Sequence, residues 1–161
     1  GELALTDIKH LELPAREAEK LQLKKGDILF NRTNSKELVG KCAVFHEETT
    51  WVFASYLIRV RLDERRACPD FATFVLNGRI GRQQIDALSR QIIGQANINS
   101  GEIRSLRIPL PPLEVQIELV QRVTAARAEI ARERAAAAEL RQTITAEVES
   151  LILGTESLPK R

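Results

Sequence analysis

Two short polar segments carry the side chains best suited to hydrogen-bonding another molecule. They are Asn31-Arg32-Thr33-Asn34-Ser35-Lys36 and Gln95-Ala96-Asn97-Ile98-Asn99-Ser100. In the major groove of DNA, Asn and Gln bond bidentately to adenine and Arg or Lys to guanine, while Ser, Thr and Lys commonly contact phosphates. The same residue types also hold tight turns, so the alternative interpretation is that Asn34 and Asn97 cap turns.

The residue patterns of common enzymes are missing from the sequence. His10 and His46 have no Cys or carboxylate at metal-ligand spacing, and Cys42 and Cys68 form no paired-cysteine motif. There is no phosphate-binding glycine loop, no dinucleotide fingerprint and no nucleophile elbow. We therefore expect a binding module rather than an enzyme, with no metal and no cofactor bound by this chain.

Basic residues are concentrated in one part of the chain. Of the 161 residues, 24 are Lys or Arg and 22 are Asp or Glu. Residues 20–112 hold 15 basic against 9 acidic residues, whereas residues 113–161 hold 7 against 8. A basic body with a nearly neutral tail is compatible with binding a polyanion, although ordinary solvated charge gives the same composition.

Composition also bears on the setting of the protein. No apolar stretch reaches the ~18 residues that a membrane span needs, and no export signal opens the chain. Two cysteines suit a reducing compartment, so we expect a cytoplasmic protein without a membrane partner. The sequence contains no methionine, from which we expect that the chain begins at an excision point or a tag scar and that part of a domain is missing.

The hydrophobic pattern predicts an α/β (α+β) fold, with a compact mixed-sheet domain followed by a long helix. The predicted domains are residues 1–110 (a partial domain), 111–154 (the helix) and 155–161 (a tail). Apolar runs and turn signals predict the following elements: helices at 15–21, 69–77 and 79–89; strands at 28–30, 41–45, 51–62 and 103–110; and a loop at 94–101. In the longest of these strands, Trp51 and Tyr56 are expected to lie in the core.

From Leu113 to Leu153 the chain has no Pro or Gly and is rich in strong helix formers. Pro112 suits the first helical position and Gly154 the position after the last turn. The helix would be roughly 60 Å long. A seven-residue repeat predicts a seam for another helix, with Val123, Ile130, Ala137, Ile144 and Leu151 at one position and Leu119, Ala126, Glu133, Leu140 and Glu147 at the other.

Arg127, Arg134 and Arg141 repeat beside this seam. We interpret them as a flank that pairs with glutamates of the partner helix, in preference to a nucleic-acid surface. A helix that lies on its own domain is the alternative to a coiled coil.

Two sequence blocks resemble the target-recognition domain of type I restriction-modification specificity subunits. The first is LKKGDILFNRTNS at residues 23–35 with ELVGK at 37–41, and the second is QANIN at 95–99 with IPLPPLEVQ at 108–116. The blocks occur in the family's order, and the long helix follows them. With that helix, the resemblance spans most of residues 20–153.

The resemblance implies a non-catalytic subunit that reads one half of a bipartite site in double-stranded DNA. In such systems, paired long helices separate two recognition domains, methyltransferase subunits bind S-adenosylmethionine and methylate adenine, and a motor-nuclease subunit restricts unmodified DNA. A full subunit has two recognition domains and two such helices, whereas this chain has one of each. The chain is accordingly interpreted as a fragment, as a half-subunit that forms a homodimer through its helix, or as part of a fused protein.

The matched blocks assign separate roles to their residues. Gly26 and Asp27 are interpreted as turn-forming, and Pro109, Pro111 and Pro112 as the hinge before the helix. The candidate DNA contacts are Arg32, Asn34, Ser35, Lys36, Lys41, Arg59, Arg79, Arg82, Gln95 and Asn97. Two alternatives stay open: the DNA-recognition tail of a fused methyltransferase-nuclease, and a coiled-coil adaptor that never contacts DNA.

Overall fold

A computed structural model describes residues 3, 5, 8–48, 50–92 and 95–153. Its elements lie in the following order: α1 Ala15–Leu21, β1 Ile28–Asn31, β2 Thr33–Asn34, β3 Cys42–Val44, β4 Leu57–Val60, α2 Pro69–Asn77, α3 Arg79–Leu88, β5 Arg90–Ile92, β6 Gln95–Asn97, α4 Ser100–Ser105 and α5 Leu113–Ile152. This order confirms the predicted fold class. The strands form two separate antiparallel sheets, β3-β1-β4 and β2-β6-β5, rather than one mixed sheet.

The first sheet carries most of the core on one of its faces. Strand β1 is central, with Phe30 opposite Cys42 on β3 and opposite Ile58 on β4. Ile28 and Phe30 are each 1% exposed and pack with the apolar side chains of α2 and α3. Strands β1 and β3 are buried in the interior of the domain, which explains why their apolar residues are continuous rather than alternating with polar ones.

Helices α2 and α3 follow the predicted bounds closely. Pro69 occupies the first turn of α2, where its missing N–H costs no hydrogen bond. At the other end, the Asn77 amide donates to the carbonyl oxygen of Cys42 (2.7 Å) and accepts from its N–H (3.1 Å), which satisfies the edge of β3. Gly40 has φ of +69°, and a Cβ there would clash with the side chain of Ile85, so glycine is required where the 36–40 turn meets α3.

Three predictions about elements were wrong. The strand expected at 51–62 is confined to β4, because the N–H of Leu57 donates to the carbonyl of Ala54 and closes a turn. Tyr56 lies in that turn and is 59% exposed, so it is not a core residue. Trp51, in contrast, is half-buried against Phe45, with ring centroids 6.1 Å apart.

The other two errors concern residues 94–110. The expected loop contains β6 and the start of α4, and the expected strand at 103–110 is the end of α4 followed by irregular chain. Asn99 explains the helix: its side chain accepts hydrogen bonds from Gly101 and Glu102, and the Glu102 carboxylate accepts from the Asn99 N–H. This capping box satisfies donors that the first helical turn would otherwise leave unpaired.

The chain divides into two compact units, residues 1–119 and 120–161. The first two turns of α5 belong to the first unit, in which Gln116 is fully buried. In the second unit the described residues are the rest of α5 and Leu153, and their side chains are nearly all exposed. Gly154 and the predicted tail lie outside the described residues. No described helix is both long enough and apolar enough to cross a membrane.

Candidate nucleic-acid interface

The two polar segments, which are far apart in sequence, come together around Arg32. The N–H of Arg32 donates to the carbonyl oxygen of Tyr56 next to β4 (2.9 Å), and its carbonyl accepts from the N–H of Ile98 after β6 (2.9 Å). Its backbone therefore joins the two sheets. Strand β2 then pairs with β6, with Thr33 opposite Asn97 and Asn34 opposite Ala96. We call Arg32, Thr33, Asn34, Gln95 and Asn97 the sheet junction.

The outer face of the sheet junction is polar. Thr33 and Asn97 are hydrogen-bonded side chain to side chain across the two strands. Gln95 lies two residues before Asn97, on the same face of β6, and is exposed. Between them Ala96 is 1% exposed and packs into the core, which fixes the direction in which Gln95 and Asn97 point. The junction thus presents amide and hydroxyl groups on a backbone fixed by a buried layer.

Asn34 and Ser35 begin the turn that follows β2. The Asn34 side-chain oxygen accepts from the N–H of Ser35 (2.9 Å), and the Ser35 carbonyl accepts from Leu38 and Val39. Asn34 therefore holds a turn, as its alternative interpretation requires. Its amide nitrogen forms no hydrogen bond with the described residues, so that donor is available to a ligand.

Glu37 is the acidic residue within this turn. Its own backbone N–H and the Ser35 side chain hydrogen-bond to the carboxylate and lower its pKa, with a smaller contribution from Lys36 and Lys41. The carboxylate is therefore charged at neutral pH and contributes negative charge beside the two lysines.

The ten candidate residues differ in whether their side chains form ion pairs or hydrogen bonds within the described part of the protein. Of the cationic ones, Arg32, Lys36, Lys41 and Arg79 are exposed and have no ion pair within the described part of the chain. Lys41 adjoins the junction, since its carbonyl accepts from the N–H of Asn31 (2.9 Å). Arg79 begins α3 and has no hydrogen bond to the junction among the described residues.

Arg82 and Arg59 are engaged inside the protein. Arg82 donates to the carbonyl of Val39 (2.7 Å) and forms an ion pair with Asp86 (3.0 Å), which fastens the 36–40 turn to α3. Arg59 donates to the carbonyl of Gln22, and its guanidinium carbon lies 5.3 Å from the centre of the Phe53 ring. In this structure both guanidinium groups stabilise the fold, and their DNA contacts stay predictions.

Asp27 behaves as the sequence interpretation of a turn residue requires. It is 1% exposed and binds Arg61 through both carboxylate oxygens (2.6 and 2.9 Å), and it also accepts from the N–H of Lys24 (2.8 Å). The hydrogen bond to Asp27 raises the pKa of Arg61. Gly26 has φ of +89°, the left-handed conformation that glycine tolerates.

Residue patterns alone missed Tyr56 as a member of this surface. Its period-two spacing with Ile58 and Val60 indicated a buried strand position, but the core ends before Tyr56 is reached. The sequence signal that the strand begins later is the pair of small residues Ala54 and Ser55, which lie in the turn and are exposed in the structure. Among the described residues, no group of three or more His, Cys, Asp or Glu is arranged to hold a metal ion.

Residues 5–142 match the family model described as the type I restriction modification DNA specificity domain. The match covers most of the chain and includes both sheets and most of α5, so the chain belongs to this family. The family is defined by DNA specificity and not by a catalytic activity, which agrees with the expectation of a non-catalytic chain.

Three curated relatives belong to the same class. The chain is 31% identical over 126 residues to the type I restriction enzyme EcoKI specificity subunit of Escherichia coli K12, covering 76% of this chain and 27% of that protein. It is 32% identical over 117 residues to the StySPI specificity subunit of Salmonella potsdam, covering 71% and 25%. The putative MjaX specificity subunit of Methanocaldococcus jannaschii is 25% identical over 123 residues, covering 75% and 29%. The chain thus spans less than a third of the length of these relatives.

Proposed function

We propose that this chain reads a sequence in double-stranded DNA as part of the specificity subunit of a type I restriction-modification system. The observation that carries the proposal is the sheet junction, where two polar segments meet on a fixed backbone. Arg32, Lys36 and Lys41 lie in or beside it without an ion pair among the described residues. Such a surface offers base-reading amides together with phosphate-binding cations, the combination that sequence recognition requires.

The proposed assembly supplies the chemistry that this chain lacks. Methyltransferase subunits would bind S-adenosylmethionine and methylate adenine, and a restriction subunit would cut DNA that lacks the modification. The relatives carry the names of type I restriction enzyme specificity subunits, which supports these partners. We place the complex in the cytoplasm, together with the DNA.

Helix α5 is proposed to space DNA-reading domains by pairing with a second long helix. Its seam includes Ile130, Leu140, Ile144 and Leu151, which are exposed by 47%, 61%, 51% and 39%. Val123, at the same heptad position as Ile130, is half-buried, and Ala137 completes the set. Apolar side chains at heptad spacing gain free energy when another helix covers them.

The test of DNA reading is to replace Arg32 by Ala and Asn34 by Ala in the full subunit assembled with its methyltransferase. Each variant should lose about 10- to 100-fold in affinity for the cognate site, the value of a good base contact. Cognate and scrambled duplexes are compared by fluorescence anisotropy at several salt concentrations, because phosphate contacts make affinity fall as salt rises. Arg16→Ala, which removes an exposed arginine from α1, is the matched control.

Two outcomes would contradict the proposal. If the assembled wild-type complex bound cognate and scrambled duplexes equally, the chain would not read sequence. If Arg32→Ala and Asn34→Ala left both affinity and methylation-site preference unchanged, the sheet junction would not be the reading surface.

A further inference from the structure

We propose that Tyr56 is a specificity-determining residue whose ring contacts the methyl group of a thymine beside the base pair reached by Arg32. This inference rests on the proposed function, because it names a base group that the same surface would read. It adds a residue that lies outside both polar segments and that neither sequence block contains.

The strand register places Tyr56 beside Arg32. Strands β1 and β4 pair with Phe30 opposite Ile58 and Asn31 opposite Leu57, so the next opposed pair is Arg32 and Tyr56. The hydrogen bond from the Arg32 N–H to the Tyr56 carbonyl (2.9 Å) confirms that the ladder continues to this pair. Directly opposed residues of antiparallel strands project to the same side, with Cβ atoms about 5 Å apart. The ring and the guanidinium therefore leave the backbone as neighbours.

The same register explains why both side chains reach solvent. Phe30 and Ile58, one step earlier on that face, pack in or against the core. Past Ile58 the core ends on the β4 side, and Tyr56 is 59% exposed, whereas on the β6 side of Arg32 the core continues through Ile98. The backbone is nevertheless fixed on both sides, by the turn hydrogen bond from Leu57 to Ala54 and by the bond from Arg32. An exposed ring on a fixed turn can meet a ligand at little cost in conformational entropy, because Tyr has few rotatable bonds.

The chemistry of the neighbours selects the ligand group. On the side of the strands to which Tyr56 projects, the register places the guanidinium of Arg32 and, two residues later, the amide of Asn34, both suited to the polar edges of bases. The apolar group that the major groove displays is the thymine C5-methyl. An aromatic ring next to an arginine therefore complements a step in which a thymine is adjacent to a base that accepts from Arg32.

The test uses deoxyuridine, which lacks only that methyl group. The full specificity subunit is assembled with its methyltransferase, and its target is first established by sequencing methylated sites. Each thymine of the target is then replaced in turn by deoxyuridine. At one position the wild-type complex should lose about fourfold in affinity, the value for one buried methyl group.

Variants of Tyr56 assign the effect to the ring. Tyr56→Phe should keep the fourfold discrimination, since it keeps the ring and removes only the hydroxyl group. Tyr56→Ala should bind the thymine and deoxyuridine duplexes equally. Leu11→Ala, which truncates another exposed apolar residue, is the control and should discriminate as the wild type does. Thermal melting of each complex checks that the folded state is unchanged.

Three results separate the inference from the function on which it rests. Loss of discrimination in Tyr56→Ala alone supports it. Equal discrimination by Tyr56→Ala and wild type, or no deoxyuridine effect at any position, overturns it while sequence-specific binding stands. A wild-type complex that binds cognate and scrambled duplexes alike overturns the proposed function and this inference together.

Discussion

At the scale of single residues, arginines of one chain serve different purposes. Arg82 is occupied by Val39 and Asp86, whereas Arg32 is exposed and, among the described residues, forms hydrogen bonds only through its backbone. Both sit in polar surroundings in the sequence, so residue type and spacing predict them equally as DNA contacts. The difference depends on which carbonyls and carboxylates the tertiary fold brings near each guanidinium.

Cys42 gives a prediction of pH dependence at this scale. Burial raises the pKa of its thiol to about 12, from an ordinary value of 9.0. Because the folded state holds the proton more tightly, its stability is intact below pH 9 and falls as the pH rises from 9 toward 12. Cys42→Ala removes this contribution, so urea midpoints measured at pH 7.5 and 10.5 should differ less for the variant than for the wild type.

The control for Cys42 is its chemical reactivity. In the native protein a thiol-specific chromogenic reagent at pH 8 should leave Cys42 unmodified, since a buried protonated thiol is a poor nucleophile. Rapid labelling of Cys42 without unfolding, or identical alkaline sensitivity in Cys42→Ala, would show that burial does not control this thiol.

At the scale of elements, Gln116 attaches the start of α5 to the rest of the first compact unit, through the chain that leads into α2. It is fully buried, accepts from the N–H of Cys68 (2.9 Å) and donates to the carbonyls of Arg66 (3.0 Å) and Pro111 (2.7 Å). Gln116→Ala leaves all three groups without a partner, and we expect a loss of about 3 kcal/mol in the free energy of unfolding. Urea denaturation measures it.

An exposed neighbour supplies the comparison for Gln116. Glu118→Ala, two residues further along α5, should change the stability by less than about 0.5 kcal/mol, as surface substitutions usually do. If Gln116→Ala were as stable as Glu118→Ala, water would replace the amide in all three hydrogen bonds and the attachment would not depend on the side chain.

Sequence patterns predict elements well where local signals agree with burial. Strand β1, helices α1, α2 and α3 and the 40-residue α5 all lie close to their predicted positions. The pattern at 103–110 misleads, because four apolar residues in near alternation suggest a strand. The local signal that decides the structure is the Asn99–Glu102 capping box just before them, which starts a helix. At 51–56, apolar residues pack in a second cluster with Phe45 and Leu23 without forming a strand.

At the scale of the whole molecule, the seam of α5 predicts self-association of the chain. Covering Ile130, Leu140 and Ile144 with a second helix removes apolar surface from water, while Glu133 and Glu147 at seam positions weaken the pairing. We expect concentration-dependent dimers in sedimentation velocity. Ile130→Asp with Ile144→Asp should shift the chain to monomer.

A residue on the opposite side of the same helix tests whether the seam is responsible. Gln142→Asp adds one negative charge away from the seam, half of what the double variant adds, and should leave the dimer unchanged. Monomer at every concentration for the wild type, or equal loss of dimer in Gln142→Asp, would contradict pairing through the seam.

The candidate site could be predicted only in parts. Both polar segments were identified from residue types, but their meeting was not, because Thr33 and Asn97 are separated by 64 residues and are paired only by the tertiary fold. Period-two spacing predicts a core position for Tyr56, because such spacing does not reveal where a core ends. Local pattern identifies ligand-binding chemistry, whereas long-range pairing decides which groups act together.

The attachment of both sheets to the Arg32 backbone limits how this surface can be altered. Suppose that residues 31–36 are replaced by those of a relative, while residues 95–98 and the turn at 54–57 are kept. The imported strand would then have to pair with strands from a different parent. Hybrid domains built with all three segments from one parent should therefore yield working chimaeras more often than hybrids that divide them, however similar the parents are elsewhere.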